Sequence, residues 1–183
     1  MLRHLPNLLS LLRLVAAPFA AWAILAGHDA LALIVFVAAG LSDGLDGFIA
    51  RHWQAMSRFG AWLDPAADKL LMLATYVALL GVAATPWWLA TLVIGRDLAI
   101  ASVWLMAKLA ALPLAFRPLA IGKLSTLLQI AYAGLVLLFL VFDLSVPSVL
   151  AAVALLTALL TLLSGGVYLW LFLRGLFARH RIA

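Results

Sequence analysis

The chain has 183 residues, of which 68% are hydrophobic and 10% charged, and its formal net charge is +5. That much apolar surface excludes a water-soluble domain of this size, so the composition predicts an integral membrane protein. The sequence contains no cysteine, which excludes a disulfide framework, a thiolate nucleophile and a zinc–thiolate site.

Apolar runs separated by turn residues predict six membrane-spanning helices. A span needs about 20 apolar residues to cross a hydrocarbon core of roughly 30 Å. The predicted spans are residues 11–26, 30–50, 60–81, 86–109, 121–142 and 147–177. Before them, residues 1–10 contain leucines around Arg3 and His4, which fits a short interfacial helix or, equally, a frayed terminus. We expect an all-α integral membrane fold of six transmembrane helices with a short N-terminal interfacial helix, forming one domain over residues 1–183.

Lysine and arginine are distributed unevenly over the predicted loops. The connections at 27–29, 82–85 and 143–146 contain neither residue. Nine of the twelve cations fall on the other side: Arg3, Arg51, Arg58, Lys108, Arg117, Lys123, Arg174, Arg179 and Arg181. By the positive-inside rule, both termini and the segments near 51–59 and 110–120 face the cytoplasm. Because these cations lie beside the spans, topology and anionic lipid headgroups explain the net charge better than nucleic-acid binding does.

All seven acidic residues are aspartates, and four of them cluster between positions 43 and 68. Helical spacing places two of the four on one face of the second predicted helix, together with small residues and a cation: Asp43, Asp46, Gly47, Ala50 and Arg51. The third predicted helix repeats the pattern at four-residue steps, with Gly60, Asp64 and Asp68. A short connection makes the two helices antiparallel neighbours, so we expect four carboxylates to converge near the cytoplasmic surface.

Converging carboxylates need positive charge beside them, because each Asp toward the bilayer centre costs about 2.5 to 3.5 kcal/mol and like charges repel. Arg51 and Lys69 are too few to supply it. Oxygen ligands without His or Cys select hard cations, so we expect two Mg²⁺ or Mn²⁺ ions, an arrangement that clamps a phosphoryl displacement. Gly47, Ala50 and Gly60 leave room for a bulky anionic group, and Arg51 offers a fork to phosphate.

Two other interpretations of the aspartates are open at this point. The first is a solvated interhelical loop whose aspartates cap helices, and Asp64 followed by Pro65 fits a cap with a first-turn proline. The second is the proton or cation pathway of a small transporter. The first accounts for one aspartate of the four, and the second leaves the glycine and alanine spacing and Arg51 unexplained.

The same residues resemble the signature of the CDP-alcohol phosphotransferase family, Asp-x2-Asp-Gly-x2-Ala-Arg-x8-Gly-x3-Asp-x3-Asp. All eight fixed positions are filled at the required spacing, by Asp43, Asp46, Gly47, Ala50, Arg51, Gly60, Asp64 and Asp68. The opening residues 6–13 and the later residues 122–126 are similar to less specific family segments. The likeness therefore extends from the opening segment into the fifth predicted helix.

The resemblance implies a six-helix membrane enzyme, commonly a homodimer, that transfers a phosphatidyl group from CDP-diacylglycerol to an alcohol and releases CMP. It implies that Asp43, Asp46 and Asp64 are metal ligands, and that Asp68 is both a metal ligand and the general base on the acceptor hydroxyl. The CDP-binding residues that it implies are Asp43, Gly47, Ala50, Arg51 and Gly60. The diacylglycerol chains would lie along apolar helix faces among the membrane lipids.

Residues 53–69 and the opening segment resemble the bacterial branch of phosphatidylglycerolphosphate synthases and CMP-forming cardiolipin synthases, which implies a bacterial cytoplasmic (inner) membrane. In the former, a Gly-Lys-x-Lys-Thr motif offers two lysines to a phosphate-bearing acceptor, and here the second of these positions is Ser125. Together with Gly95-Arg96-Asp97 and Arg117-Pro118, this favours phosphatidylglycerol as the acceptor, giving cardiolipin and CMP. Glycerol 3-phosphate is the alternative acceptor.

Several cations outside the signature have two interpretations each. Arg13, Arg117 and Lys123 are candidate contacts to the acceptor or its phosphate, and snorkelling or anchoring at the cytoplasmic side is the alternative. Arg96 and Asp97 lie inside an apolar run, where either a buried charge pair or a substrate contact fits.

Overall fold

The computed structural model describes residues 5–53, 60–109 and 119–179, and it describes side chains for residues 8–42, 63–106, 109 and 119–174. All regular structure in these ranges is helical. The six helices are α1 (Leu5–Leu25), α2 (Asp29–Trp53), α3 (Gly60–Gly81), α4 (Trp87–Leu109), α5 (Ala120–Val141) and α6 (Pro147–Arg179). The all-α fold and the six predicted helices are confirmed.

The helix ends differ from the predicted spans in two informative places. α1 begins at Leu5, so the amphipathic residues of the opening segment that are described continue directly into the first span. α2 extends to Trp53, three residues past the predicted end at Ala50. In both places the helix extends beyond the apolar run into more polar sequence, because polar residues can also form the backbone hydrogen bonds of a helix.

Four of the described helices are long and apolar enough to cross a membrane: α1, α4, α5 and α6. In α2 the described apolar segment is the shorter Asp29–Ser42, which ends where Asp43 follows. In α3, Asp64, Asp68 and Lys69 lie near the start of the helix. The two helices outside this set of four are therefore those that contain the aspartate signature, and turns with several charges must reach the interface or be neutralised.

The helices divide into two compact units, each with its own contacts. The first unit contains α1, α2, α3 and the segment Ala133–Ser145, which is the last part of α5 and the turn after it. Within it α1 packs against both α2 and α3. Ala17, Ala20 and Ala23 are fully buried along α1 at helical spacing. Because alanine side chains are short, the neighbouring backbones approach α1 closely, as is typical of helix packing in membranes.

The second unit contains α4, the first part of α5, and α6. Its interior is partly polar, with Ser125 and Gln129 of α5 and Thr157, Thr161 and Ser164 of α6 all buried. Gln129 Nε2 donates a hydrogen bond to Thr161 Oγ1 at 3.0 Å, and the Ser125 and Thr161 hydroxyl oxygens lie 3.3 Å apart. Hydrogen bonds between polar side chains therefore join α5 to α6 in this unit.

Three helices of the first unit end in the same kind of left-handed turn. Gly27, Ala83 and Asp143 have φ values of 74°, 57° and 50°. At the first of these turns, the His28 amide donates to the Ala23 carbonyl at 2.8 Å and the Gly27 amide donates to the Ile24 carbonyl at 3.1 Å. This is the hydrogen-bond pattern of a Schellman cap, which satisfies carbonyls that the helix end leaves free.

Gly27→Ala is expected to destabilise the protein by about 1 kcal/mol, because an L side chain in the left-handed region is strained. An added Cβ at Gly27 meets no described atom within 4 Å, so the loss measures backbone strain alone. Gly40→Ala, inside α2 and equally free of neighbours, is the matched control and is expected to be neutral or stabilising. Thermal unfolding in detergent compares the two, and equal midpoints would contradict the assignment of strain.

Candidate active site

The signature residues lie on two continuous helices of the first unit, as their spacing predicts. Asp43 and Asp46 belong to α2, which runs unbroken from Asp29 to Trp53 and so also includes Gly47, Ala50 and Arg51. α3 begins at Gly60 and includes Asp64 and Asp68 one turn apart. The side chains of residues 43–53 and 60–62 lie outside the described part of the structure. The geometry of the site is therefore described for Asp64 and Asp68.

Arg13 of α1 joins the two aspartates of α3. Its Nη1 atom donates to Asp64 Oδ1 at 2.9 Å and also to Asp68 Oδ1. The Arg13 side chain is fully buried, whereas those of Asp64 and Asp68 are 27% and 38% exposed. A single guanidinium thus reaches two carboxylates one helical turn apart, from a helix about fifty positions earlier in the sequence. The structure assigns Arg13 to this ion pair rather than to snorkelling.

Ser10 is a further member of this site that the sequence did not single out. Its hydroxyl donates to Asp64 Oδ1 at 3.2 Å, and the residue is buried. Ser10 lies three positions before Arg13, so the two side chains share one face of α1. The signal in the sequence was a pair of polar residues at helical spacing within an otherwise apolar run.

Asp64 does not cap α3. The helix begins at Gly60, four residues earlier, so Asp64 and Pro65 lie inside it. The carboxylate instead accepts hydrogen bonds from Ser10 and Arg13 on α1. The capping interpretation was wrong. An Asp-Pro pair is common at the start of a helix, but here the helix has already begun four residues earlier, and the Asp64 carboxylate contacts α1 instead.

The described half of the signature fits a hard divalent cation. Both hydrogen bonds that the structure gives Asp64 fall on Oδ1, which leaves Oδ2 for another ligand. Both carboxylates are partly exposed, and such oxygen donors are the ligands that Mg²⁺ and Mn²⁺ prefer. Among the described side chains, no three acidic or histidine residues lie close enough together to hold a metal ion. The side chains of Asp43 and Asp46 are outside the described part of the structure. The metal set stays a prediction.

In the second unit, Arg96 is the centre of a separate polar cluster. Its Nη1 atom donates to Asp97 Oδ1 at 2.7 Å, and its Nη2 atom donates to Ser164 Oγ at 2.7 Å. The guanidinium carbon lies 6.0 Å from the ring centroid of Tyr168. The Arg96 and Asp97 side chains are only 8% and 16% exposed. The pair is thus largely shielded from solvent, as the charge-pair interpretation predicts, and the hydrogen bond from Arg96 to Ser164 connects α4 to α6.

The start of α5 lies against the same cluster. A Cβ added to Gly122 would approach Tyr168 Oη to 3.0 Å and Arg96 Nη2 to 3.5 Å, so a side chain does not fit there without a shift. The Leu119 amide donates to Tyr168 Oη at 3.4 Å. Lys123 is exposed, whereas Ser125 is fully buried. Arg117 lies outside the described residues, so the proposed contacts of Arg117 and Lys123 stay predictions.

The sequence model of the CDP-alcohol phosphatidyltransferases matches residues 3–176. The chain belongs to this family. A probable phosphatidylglycerophosphate synthase of Mycobacterium tuberculosis is 34% identical over 90% of this chain and 79% of the relative. A probable CMP-forming cardiolipin synthase of Drosophila melanogaster is 32% identical over 72% of this chain and 46% of the relative. A CMP-forming cardiolipin synthase of Streptomyces coelicolor is 40% identical over 51% of this chain and 46% of the relative.

Membership of the CDP-alcohol phosphatidyltransferase family confirms the resemblance that the eight signature positions indicated. It favours an enzyme over the transporter that the aspartates alone left open. The chain spans about half the length of the Drosophila and Streptomyces relatives, at 46% of each. The relatives include both synthase types that the signature and the opening segment resemble.

Proposed function

We propose that the protein transfers the phosphatidyl group of CDP-diacylglycerol to phosphatidylglycerol, forming cardiolipin and CMP. The observation that supports this most directly is the placement of Asp64 and Asp68 on one face of α3, next to Arg13 and Ser10 of α1, with Asp64 Oδ2 left for a ligand. Family membership and the complete signature support the same chemistry. The two synthase types among the relatives define the choice of acceptor.

In the proposed reaction, the hydroxyl oxygen of the acceptor attacks the phosphorus bonded to diacylglycerol. Its proton passes to the Asp68 carboxylate, and the bond from that phosphorus to the oxygen shared with CMP breaks. CMP leaves with the electron pair of that bond. Because no covalent enzyme intermediate is needed, the protein contributes mainly positioning and charge.

Two Mg²⁺ or Mn²⁺ ions are proposed as cofactors, held by Asp43, Asp46, Asp64 and Asp68. When bound, such ions offset the negative charge of the diphosphate. Arg51 and the small residues Gly47, Ala50 and Gly60, together with Asp43, are proposed to bind the CDP group. Arg117 and Lys123 are proposed to contact the acceptor or its phosphate. Arg13 donates hydrogen bonds to Asp64 and Asp68. These contacts support a role in positioning the two carboxylates better than a direct contact with the acceptor or its phosphate.

Glycerol 3-phosphate is the second candidate acceptor, and one observation favours it. The Mycobacterium tuberculosis relative, which the match covers to 79%, is named as a probable phosphatidylglycerophosphate synthase. Phosphatidylglycerol is preferred because Ser125 occupies the position of the second lysine of that motif. The Ser125 side chain is buried against Thr161 and adds no cation for a small phosphorylated acceptor.

Purified protein in detergent is expected to release CMP from CDP-diacylglycerol with Mn²⁺ or Mg²⁺ when phosphatidylglycerol is present. The lipid product is identified by mass spectrometry in parallel reactions with phosphatidylglycerol or glycerol 3-phosphate alone. Cardiolipin formed only with phosphatidylglycerol is the expected result. Phosphatidylglycerol phosphate formed from glycerol 3-phosphate would overturn the choice of acceptor, and no CMP with either acceptor would contradict the proposed reaction. Reactions with EDTA serve as the metal control.

We further propose a homodimer in the bacterial cytoplasmic membrane, with the active site and both termini on the cytoplasmic side. The uneven distribution of lysine and arginine supports this orientation. The four apolar helices of span length support insertion in a membrane. Protease accessibility in inside-out vesicles tests the side on which the loops lie.

A further inference from the structure

Arg13 is a buried cation in an apolar helix, and its position needs an explanation. The side chain is fully buried, and Asp64 and Asp68 of α3 accept hydrogen bonds from its Nη1 atom. A buried guanidinium is tolerated only with negative charge beside it, since the desolvation of a charge costs several kcal/mol. The carboxylates of the signature provide that negative charge to Arg13.

Arg13 in turn stabilises the two carboxylates. Asp64 and Asp68 lie one turn apart on α3, so their like charges repel each other. The guanidinium between them offsets this repulsion, and Ser10 adds a hydrogen bond to Asp64 Oδ1. A divalent cation on the same carboxylates meets a positive charge within a few ångströms. Arg13 and the metal therefore compete for the same two carboxylates, those of Asp64 and Asp68.

We infer that Arg13 is a resident counter-charge, which keeps the α1–α3 contact folded when the metal leaves and lowers the affinity of the site for the metal. Arg13 is thus a positioning residue that acts through Asp64 and Asp68. The inference rests on the proposed function only in taking these two aspartates as metal ligands. Its consequence is a site that can lose its ions without local unfolding.

The test compares the wild type with Arg13→Met, which keeps much of the length of the side chain and removes the charge. Thermal unfolding is followed in detergent with EDTA and with increasing Mn²⁺, in the absence of any lipid substrate. In EDTA the midpoint of Arg13→Met is expected to fall by several degrees, because the two partly exposed carboxylates lose their counter-charge and their hydrogen bonds to Arg13. Mn²⁺ is expected to restore most of this loss and to bind at least about 10-fold more tightly than in the wild type.

Arg96→Met is the matched control, because it removes another buried arginine paired with an aspartate, in the second unit. Its midpoint is expected to fall without recovery in Mn²⁺. If Mn²⁺ restores Arg96→Met equally, or leaves Arg13→Met unchanged, the inference is wrong and Arg13 serves packing alone. Weaker Mn²⁺ binding to Arg13→Met would also overturn it, because Arg13 would then orient the ligands.

Arg13→Met with Asp64→Asn covers the case in which the single variant does not fold. The double variant loses one charge of each sign, so it is expected to be more stable in EDTA than Arg13→Met. Failure of both variants to fold, even with Mn²⁺, would contradict a role through charge. The unfolding measurements use no CDP-diacylglycerol. Their outcome therefore does not depend on whether the activity assay detects CMP release.

Discussion

Replacing Asp68 with alanine is expected to reduce CMP release by at least about 100-fold, since a positioned general base contributes roughly that factor or more. The proposed reaction needs this carboxylate to receive the proton of the acceptor hydroxyl and to hold a metal ion. The variant is expected to remain folded, because Arg13 keeps its hydrogen bond to Asp64 Oδ1 at 2.9 Å. CMP release from CDP-diacylglycerol, measured at saturating Mn²⁺, is the readout.

Two companion variants separate chemistry from structure at this position. Asp68→Asn keeps an oxygen that can accept the Arg13 hydrogen bond but has no negative charge, so it is expected to be as inactive as Asp68→Ala. Asp143→Asn changes an aspartate in the turn between α5 and α6, where asparagine tolerates the left-handed φ of 50°. This control is expected to keep wild-type activity. Normal turnover in Asp68→Asn would contradict the role of Asp68 as base.

Hydropathy and spacing were sufficient to predict the helices and to place the signature aspartates on two of them. Apolar runs of span length allow little besides helix in a membrane, because every backbone polar group must be satisfied within the segment. The ends were harder to place, and α1 begins at Leu5 rather than at residue 11. A helix can continue through polar residues, so hydropathy limits a span but not the helix that contains it.

The contact of Arg13 with Asp64 and Asp68 could not be predicted from the sequence. Periodicity assigns each residue to a face of its own helix, but which face of α1 meets α3 depends on the packing of the whole unit. The fully buried alanines at 17, 20 and 23 set the close approach of α1 to its neighbours. Local signals also left a helix cap open as an alternative for Asp64, since its partner Arg13 lies on another helix.

The Arg96–Asp97 pair was identified in the sequence, but its partners were not. Ser164 and Tyr168 on α6 approach Arg96 within the second unit. Arg96 and Ser164 are 68 positions apart, and no sequence periodicity relates residues on two helices that are so far apart in the chain. Buried serines and threonines within apolar helices were the available signal, because such residues often form hydrogen bonds between helices in membranes.

Arg96→Met is expected to destabilise the protein by about 3 to 5 kcal/mol, which is the usual result of removing one partner of a buried ion pair. Asp97, whose side chain is 16% exposed, loses the counter-charge that lies 2.7 Å away. Ser164 and Tyr168 also lose their contacts with the guanidinium. The midpoint of thermal unfolding in detergent should fall by about 10 °C for a chain of this size.

Two further variants identify the cause of that loss. Arg96→Met with Asp97→Asn removes both charges, so it is expected to recover at least half of the lost stability if the loss of the Arg96 charge beside Asp97 is responsible. Arg174→Met removes an exposed arginine on α6, whose guanidinium carbon lies 5.3 Å from the ring centroid of Trp170. That contact is worth about 0.5 to 1 kcal/mol at an exposed site, so its midpoint should move by only a few degrees. Equal losses in Arg96→Met and Arg174→Met would mean that burial of the pair does not set its contribution to stability.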